Sequence, residues 1–413
     1  MLRDISLEEA QRQINSLVST LGTEELPLEE LMGRVLARDY VAPRDLPAST
    51  QSAVDGFALG DTASSTSSYI VKGYLELGDS PDQAIGPGEA MGVMTGGLLP
   101  PGCVAVVQHE RTNWQDGKLR VLEQVKIKQN IKQAGEDFVC GELLLRRGSC
   151  LDPGSIALMA AYGINSAPVY RRPRVNVLAM GRNVVAPRTN PQTGQTRDVN
   201  SPLLGALIQR DGGVLGSALL ASNKDVPEIA ASLEFLLNDS DLLITSGGTY
   251  TRGDDNLLRV LEQKGMQMVF WGVNLMPGSH CGLARRGKQF ILLLSGNPTA
   301  CFVGYNLFAS PLLQKMQGLE SNLLRQNALC LNGFNKKSGS RRFVRAKLYS
   351  SEQGWVVEVL PGQKPSMIRS MLECNALIDV PAGSLGLGAG EQVSVIPLYR
   401  STEVRNLLNN TEK

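Results

Sequence analysis

Histidine is nearly missing from this chain. Its 413 residues include only two, His109 and His280, which argues against a metal centre built on imidazoles. The seven cysteines (Cys103, Cys140, Cys150, Cys281, Cys301, Cys330 and Cys374) are scattered, odd in number and never spaced as a CxxC pair. That pattern excludes a disulfide framework and a cysteine zinc site, and it points to a reducing, intracellular setting. Neither sign of charge dominates: 41 Lys+Arg face 40 Asp+Glu, for a net charge of +1. A general nucleic-acid footprint needs a basic excess or a concentrated basic stripe, so any anion site here must be local. No apolar run reaches the ~18 residues of a membrane helix. The opening MLRDISLEEAQRQ is polar and acidic, unlike a signal peptide. A cytoplasmic protein with no membrane partner is therefore expected.

What is present is ordinary globular composition, with 42% hydrophobic and 20% charged residues. At roughly 100–200 residues per domain, the length allows about two to four domains. Ser6 and Glu9 form a capping-box pattern, and Leu7, Ala10, Ile14, Leu17, Val18 and Leu21 then fall on one helical face. A second short helix is expected near Leu28–Leu36, followed by an extended segment, Tyr40–Leu46. Between Pro47 and Gln133, short β-rich runs (Tyr69–Val71, Ala105–Val107, Val121–Ile127) alternate with Gly, Pro and Ser clusters, the mark of a small β domain. Gly135–Val169 mixes turns with a short helix near Ser155–Ala161, and Arg171–Arg174 reads as a linker.

The clearest part follows. Apolar strands are expected at Val175–Met180, Gly213–Leu220, Asp241–Thr245, Met268–Val273 and Phe290–Leu294. Helices are expected at Pro202–Arg210, Val226–Leu237 and Asp255–Gln263, and from Pro298 to about Met316. This alternation predicts a multidomain α/β protein containing a doubly wound parallel sheet covered on both faces, with ligands beyond the carboxyl ends of the strands. The last stretch has short strands at Arg342–Tyr349, Gly354–Leu360, Ala376–Val380 and Gln392–Pro397, the pattern of a small β-barrel.

Two of the α/β strands end in glycine turns, Ser246-Gly247-Gly248 and Ser295-Gly296-Asn297-Pro298. Without side chains in the way, backbone N–H groups can approach an oxyanion, and a helix N-terminus adds partial positive charge. Each turn alone also reads as a tight connection with no ligand. Two at neighbouring strand ends favour a site. Asp241, Asp254 and Asp255 flank the first turn. They are candidates to hold Mg²⁺ against a phosphate, or a solvated strand start and helix caps. Asp55, the Thr95-Gly96-Gly97 turn and the Gly135-Glu136-Asp137 turn each read singly as plain turns.

Taken in order, these segments resemble the molybdopterin molybdotransferase family, the MoeA and gephyrin E-domain group. The family's S-A-M-D-G-F/Y-A appears as Ser52–Ala58. Its M-T-G-A-x-x-P-x-G-x-x-x-V-V-x-x-E appears as Met94–Glu110, and its N-I-x-x-x-G-E-D as Asn130–Asp137. Its S-S-G-G is Thr245–Gly248, and its L-P-G-N-P is Leu294–Pro298. The resemblance spans essentially the whole chain. It implies a segmented linker domain (residues 1–46 and 134–172), a β-rich domain (47–133), an α/β domain of molybdopterin-binding type (173–318) and a C-terminal β-barrel (319–402). It implies a homodimer whose active site lies at the dimer interface, with the β-rich domain of one subunit over the α/β domain of the other. The substrates it implies are adenylylated molybdopterin and molybdate, with Mg²⁺-dependent cleavage of the phosphoanhydride and release of AMP. The molybdopterin adenylyltransferase is then an expected partner. By the same carry-over, Asp55, Asp137, Asp241 and Asp255 are catalytic candidates, with Asp241 and Asp255 on the metal. Thr95, Ser246, Gly247, Gly248, Ser295, Gly296, Asn297 and Pro298 are substrate-binding candidates.

Departures from the family pattern matter as much. The family's S-T-G-D-E-L appears as Ala179–Val184, which puts Asn183 where the family has a functional glutamate. Its K-P-G-K-P appears as Met276–His280, so both lysines that are expected to contact anionic substrate are gone, at Met276 and Ser279. Its G-G-V-S-V-G appears as Gly247–Arg252, which brings Tyr250 and Arg252 into the loop. Arg182 and Arg252 could restore the lost positive charge, or lie idle at the surface. A catalytically impaired relative that binds pterin, molybdate or a partner without turnover is the alternative to a working enzyme.

Overall fold

A computed structural model describes residues 1–62, 67–115, 117–222, 224–248, 256–352 and 354–398. The chain forms two compact units. The larger takes residues 1–38 and 148–157 and everything from 164 onward, and the smaller takes 39–147 and 158–163.

The larger unit is built on a seven-stranded sheet. Its order is Leu2–Ile5, Gln267–Val273, Gly282–Arg286, Gln289–Leu294, Leu242–Ser246, Arg174–Met180 and Val214–Ala221. The four strands from Gln289–Leu294 to Val214–Ala221 run parallel to one another. Their side chains alternate between two apolar layers. Val175, Val177, Leu242, Ile244, Leu292 and Leu294 pack with the helices Leu7–Leu17 and Asn200–Arg210 and the helical run from Pro298 to Met316. Leu178, Met180, Leu243, Ile291 and Leu293 pack with Val226–Leu237 and Asn256–Gln263 on the other face. Burial on both faces explains why these strands read as continuous apolar runs.

Two strands of this sheet are additions to the expected set. Gly282–Arg286 is an antiparallel insertion between Gln267–Val273 and Gln289–Leu294. Leu2–Ile5 lies parallel on Gln267–Val273, with Leu2 opposite Phe270. The helix expected over Leu28–Leu36 is only a 3₁₀ turn, Leu28–Glu30. Gly33 adopts φ +70°, and the N–H groups of Gly33 and Leu36 donate to Leu151 and Ser149, so the chain bridges to a neighbouring segment instead of winding on.

Five strands close the C-terminal β-barrel: Arg341–Ser351, Gly354–Val359, Gln326–Cys330, Gln392–Pro397 and Ala376–Val380. The last of these pairs back onto the first. Leu275–Met276, from the α/β region, adds a short parallel strand to it, placing Met276 opposite Arg342.

The smaller unit is a six-stranded sheet in the order Ala105–Gln108, Gly56–Leu59, Glu89–Val93, Ser68–Tyr74, Lys118–Val121 and Thr112–Gln115. The strand expected at Val121–Ile127 instead ends at Val121. Beyond it, Val125 tucks into the core while Ile127 faces solvent.

Candidate active site

In the larger unit both glycine turns stand at the carboxyl end of the parallel strands, where they touch. A Cβ on Gly296 would lie 3.1 Å from the Gly247 Cα, and one on Gly247 would lie 2.2 Å from the Met180 carbonyl oxygen. Gly247 and Gly248 adopt φ of +90° and +68°. Only glycine meets both demands without strain. Ser246, Gly247, Gly248, Ser295, Gly296, Asn297 and Pro298 are thus brought together. Arg182 follows the strand that carries Met180 and is exposed beside this edge. Asn297 caps the helix at Pro298, its Oδ1 accepting from the Thr299 N–H at 3.1 Å. Its Nδ2 donates to Ser366 Oγ at 2.9 Å, so a barrel loop also reaches this edge.

The residue that ties the turns together was not expected. Asn200, buried at the start of the helix Asn200–Arg210, donates from Nδ2 to Ser246 Oγ at 2.7 Å and to the Gly296 carbonyl at 2.8 Å. Asp198, also buried, accepts the Asn200 and Ser201 N–H groups at 3.0 Å each. Close by, Asn200 Oδ1, Ser201 Oγ and Thr245 Oγ1 are buried without a hydrogen-bond partner. Buried polar atoms are rarely left unpaired, so this edge carries spare polar capacity. A signal was available in the sequence: Asp-Val-Asn-Ser ahead of an apolar helical period is a helix-start pattern.

Asp241 requires a correction. It precedes the strand Leu242–Ser246, so it sits at the opposite end from the turn, roughly 16 Å away at strand rise. Both its oxygens are engaged: Arg171 Nη1 and Nη2 donate to Oδ2 and Oδ1 at 2.9 and 2.7 Å, and the Arg174 N–H donates to Oδ2 at 2.8 Å. Asp241 therefore pins the Arg171–Arg174 segment to the sheet rather than facing substrate. Tyr250, Arg252, Asp254 and Asp255 lie outside the described residues. Among the described residues no group of three or more His, Cys, Asp or Glu side chains could hold a metal ion.

The smaller unit joins the other three motifs. The Thr95 N–H and hydroxyl both donate to Asp55 Oδ1, at 2.7 and 2.9 Å. The backbone N–H of Thr95, then its hydroxyl, hold the Asp55 carboxyl below the usual carboxylate range, helped by His109. Ser52 exchanges backbone bonds with Gly96 and Gly97 and pairs with Ile131 across a short antiparallel ladder. On that ladder Lys132 Nζ donates to Asp137 Oδ2 at 2.5 Å. Segments far apart in sequence thus converge on an exposed, ionised Asp55 whose orientation is fixed by Thr95.

A doubly wound α/β domain with paired glycine turns at one sheet edge, a closed five-stranded barrel and a separate β-rich unit define a multidomain α/β protein. Comparison with known proteins gives the family. Residues 5–163 match the MoeA N-terminal region (domain I and II), 176–315 a probable molybdopterin binding domain, and 327–398 the MoeA C-terminal region (domain IV). The chain belongs to the MoeA family. It is 29% identical over 399 residues to a molybdopterin molybdenumtransferase of Staphylococcus aureus, covering 95% of each chain. It is 28% identical to one from Staphylococcus epidermidis, again over 95% of each. The crystal structure of the molybdopterin biosynthesis MoeA protein from Pyrococcus horikoshii superposes with a TM-score of 0.80 at 26% identity, covering 95% of this chain and 100% of that one.

Proposed function

We propose that this protein is a molybdopterin molybdenumtransferase of molybdenum cofactor biosynthesis. In this reading it takes adenylylated molybdopterin, breaks the phosphoanhydride bond with release of AMP, and places molybdate on the pterin dithiolene. The observation that carries the reading is the junction of Gly247 and Gly296 under Asn200. It joins the two turns at one sheet edge, where the Ser201 and Thr245 hydroxyls have no hydrogen-bond partner and can donate to phosphate oxygens. Ser246, Gly247, Gly248, Ser295, Gly296, Asn297 and Pro298 bind the ligand, and Arg182 adds charge beside the first turn. Thr95 binds substrate in the smaller unit. Asp55 and Asp137 are the catalytic carboxylates, with Asp55 suited to orient water or a proton because Thr95 keeps it ionised. Asp241 is not among them. Arg252 and Asp255 remain candidates from the family pattern. Mg²⁺ enters as a requirement to be tested, since no described carboxylate cluster carries it. The protein works as a homodimer, which solution mass measurement checks, and receives its substrate from an adenylyltransferase.

The test is direct. Purified protein, adenylylated molybdopterin, molybdate and Mg²⁺ are combined and AMP is followed. AMP release with formation of active cofactor supports the transferase. Tight pterin binding without AMP supports the second reading, a binding protein without turnover, which Asn183, Met276 and Ser279 favour.

A further inference from the structure

The turn that lacks its expected lysines has an arginine beside it on another strand. Met276 pairs in parallel register with Arg342 of the barrel, and Arg342 Nη2 lies 3.9 Å from Met276 Sδ. Two residues on, Gly278 is pressed against the first turn of the helix that follows Pro298; a Cβ there would lie 3.2 Å from the Ala300 carbonyl oxygen. Ser295 Oγ donates to the His280 carbonyl at 3.2 Å. The Met276–His280 turn and the Ser295–Pro298 turn therefore form one wall, and Arg342 stands on it.

Charge on this part of the barrel is unbalanced. Arg341 is saturated, gripping Asp379 through Nε and Nη2 and Glu8 through Nη1. Arg342 has no carboxylate among the described residues; its Nε donates only to Ser338 Oγ at 3.2 Å. Arg345, 2% exposed, donates from Nε to Ser370 Oγ at 2.7 Å and likewise has no acid partner. Its pKa is pulled down to about 10 by burial, with Arg342 adding repulsion. Ser370 belongs to the segment whose Ser366 donates its N–H to Asn297 Oδ1 at 3.2 Å and accepts from Asn297 Nδ2 on its hydroxyl at 2.9 Å. Arg345 is buried and spends its donors on Ser370 and the Gly362 carbonyl, so it adds positive charge behind the wall. Arg342, partly exposed against Met276, is the guanidinium placed for an oxyanion, which arginine can grip through two parallel N–H bonds.

We propose that Arg342 supplies, from the barrel strand, the anion-gripping cation that Met276 and Ser279 do not, and so sets the affinity of this edge for a dianionic oxyanion. That oxyanion is either a phosphate of the bound ligand or a free tetrahedral oxyanion. The inference rests on the proposed function for its substrates but not for its geometry.

The test uses the full chain and its Arg342→Gln, Arg342→Lys and Met276→Lys/Arg342→Gln variants, each checked for an unchanged melting temperature. Inorganic phosphate and molybdate are titrated calorimetrically, and KM values for adenylylated molybdopterin and molybdate are taken from AMP release. Losing a charge-assisted pair costs about ten- to a hundredfold in affinity, so Arg342→Gln should weaken phosphate binding by at least about tenfold. Arg342→Lys should lose less, and Met276→Lys should restore most of the loss. A raised KM for the pterin assigns Arg342 to a ligand phosphate, and a raised KM for molybdate assigns it to the free oxyanion. Folded Arg342→Gln with phosphate affinity and both KM values unchanged would overturn the proposal, as would failure of Met276→Lys to rescue. Wild type that binds phosphate through Arg342 yet releases no AMP would keep this site and overturn the proposed function instead.

Discussion

Replacing Asn200 by leucine isolates the bond that joins the two glycine turns. Leucine has the same branched arrangement of side-chain heavy atoms, in a bulkier form, but cannot donate. Two hydrogen bonds are lost, to Ser246 Oγ and the Gly296 carbonyl. Each is worth about 0.5–1.5 kcal/mol net, so the pair comes to about 2 kcal/mol, more if the Gly296 carbonyl stays buried and unpaired. A small offset comes from removing Asn200 Oδ1, which has no partner in the wild type. At about 2–4 °C per kcal/mol for a unit of 150–250 residues, the melting temperature should fall by about 4–8 °C. The turns would also lose their shared brace, so AMP release should fall even well below the melting temperature, where the protein is folded. Calorimetry and the AMP assay read the two effects separately. A melting temperature within about 1 °C of wild type, with unchanged AMP release, would refute the claim that Asn200 organises the site.

Asp241→Asn should lower stability by about 1 kcal/mol by loosening the Arg171 clamp, while leaving the Mg²⁺ dependence of AMP release unchanged; a large rise in the Mg²⁺ requirement would return Asp241 to the metal. Thr95→Val removes the hydroxyl donor from Asp55 and keeps the backbone one. Because the Asp55 pKa is depressed in the folded protein, its ionised form persists below the ordinary carboxylate range and is lost only as pH falls through the lowered value. The acid limb of the pH–rate profile should therefore move to higher pH in Thr95→Val, and an unmoved limb would remove Asp55 from the rate-determining ionisation. Gly247→Ala forces an L-residue to φ +90° and sets a Cβ against the Met180 carbonyl. Chemical denaturation should show a loss of at least about 2 kcal/mol, and a neutral result would mean that this turn relaxes freely.

Much of the fold was legible because burial on both faces writes itself into sequence. Leu242–Ser246 and Gln289–Leu294 are wholly or almost wholly buried and read as apolar runs. Val226–Leu237 carries its own start signal: Asp225 caps it, accepting the Glu228 N–H at 3.0 Å. Leu2–Ile5 was illegible, because an exposed edge strand holds by backbone pairing and shows almost no apolar pattern. Gly282–Arg286 was hidden in a stretch with only three buried residues. In the site, the glycine turns were visible as composition, but Asn200 was not, since its bonds span 46 and 96 residues. Asp241 was misplaced although direction along the strand was readable: a residue before a parallel strand lies at its amino end, away from any ligand.

The pairing of Leu2 with Phe270 sets an order of events during synthesis. Leu2–Ile5 is made early, but its partner Gln267–Val273 leaves the ribosome only after most of the sheet it borders has been translated. Until then the early strand has no place to dock, and afterwards it covers a border that could otherwise recruit another chain. A bulky fusion ahead of Leu2 should disturb this docking rather than the early folding of the β-rich unit, and its cost should surface as aggregation of newly made protein.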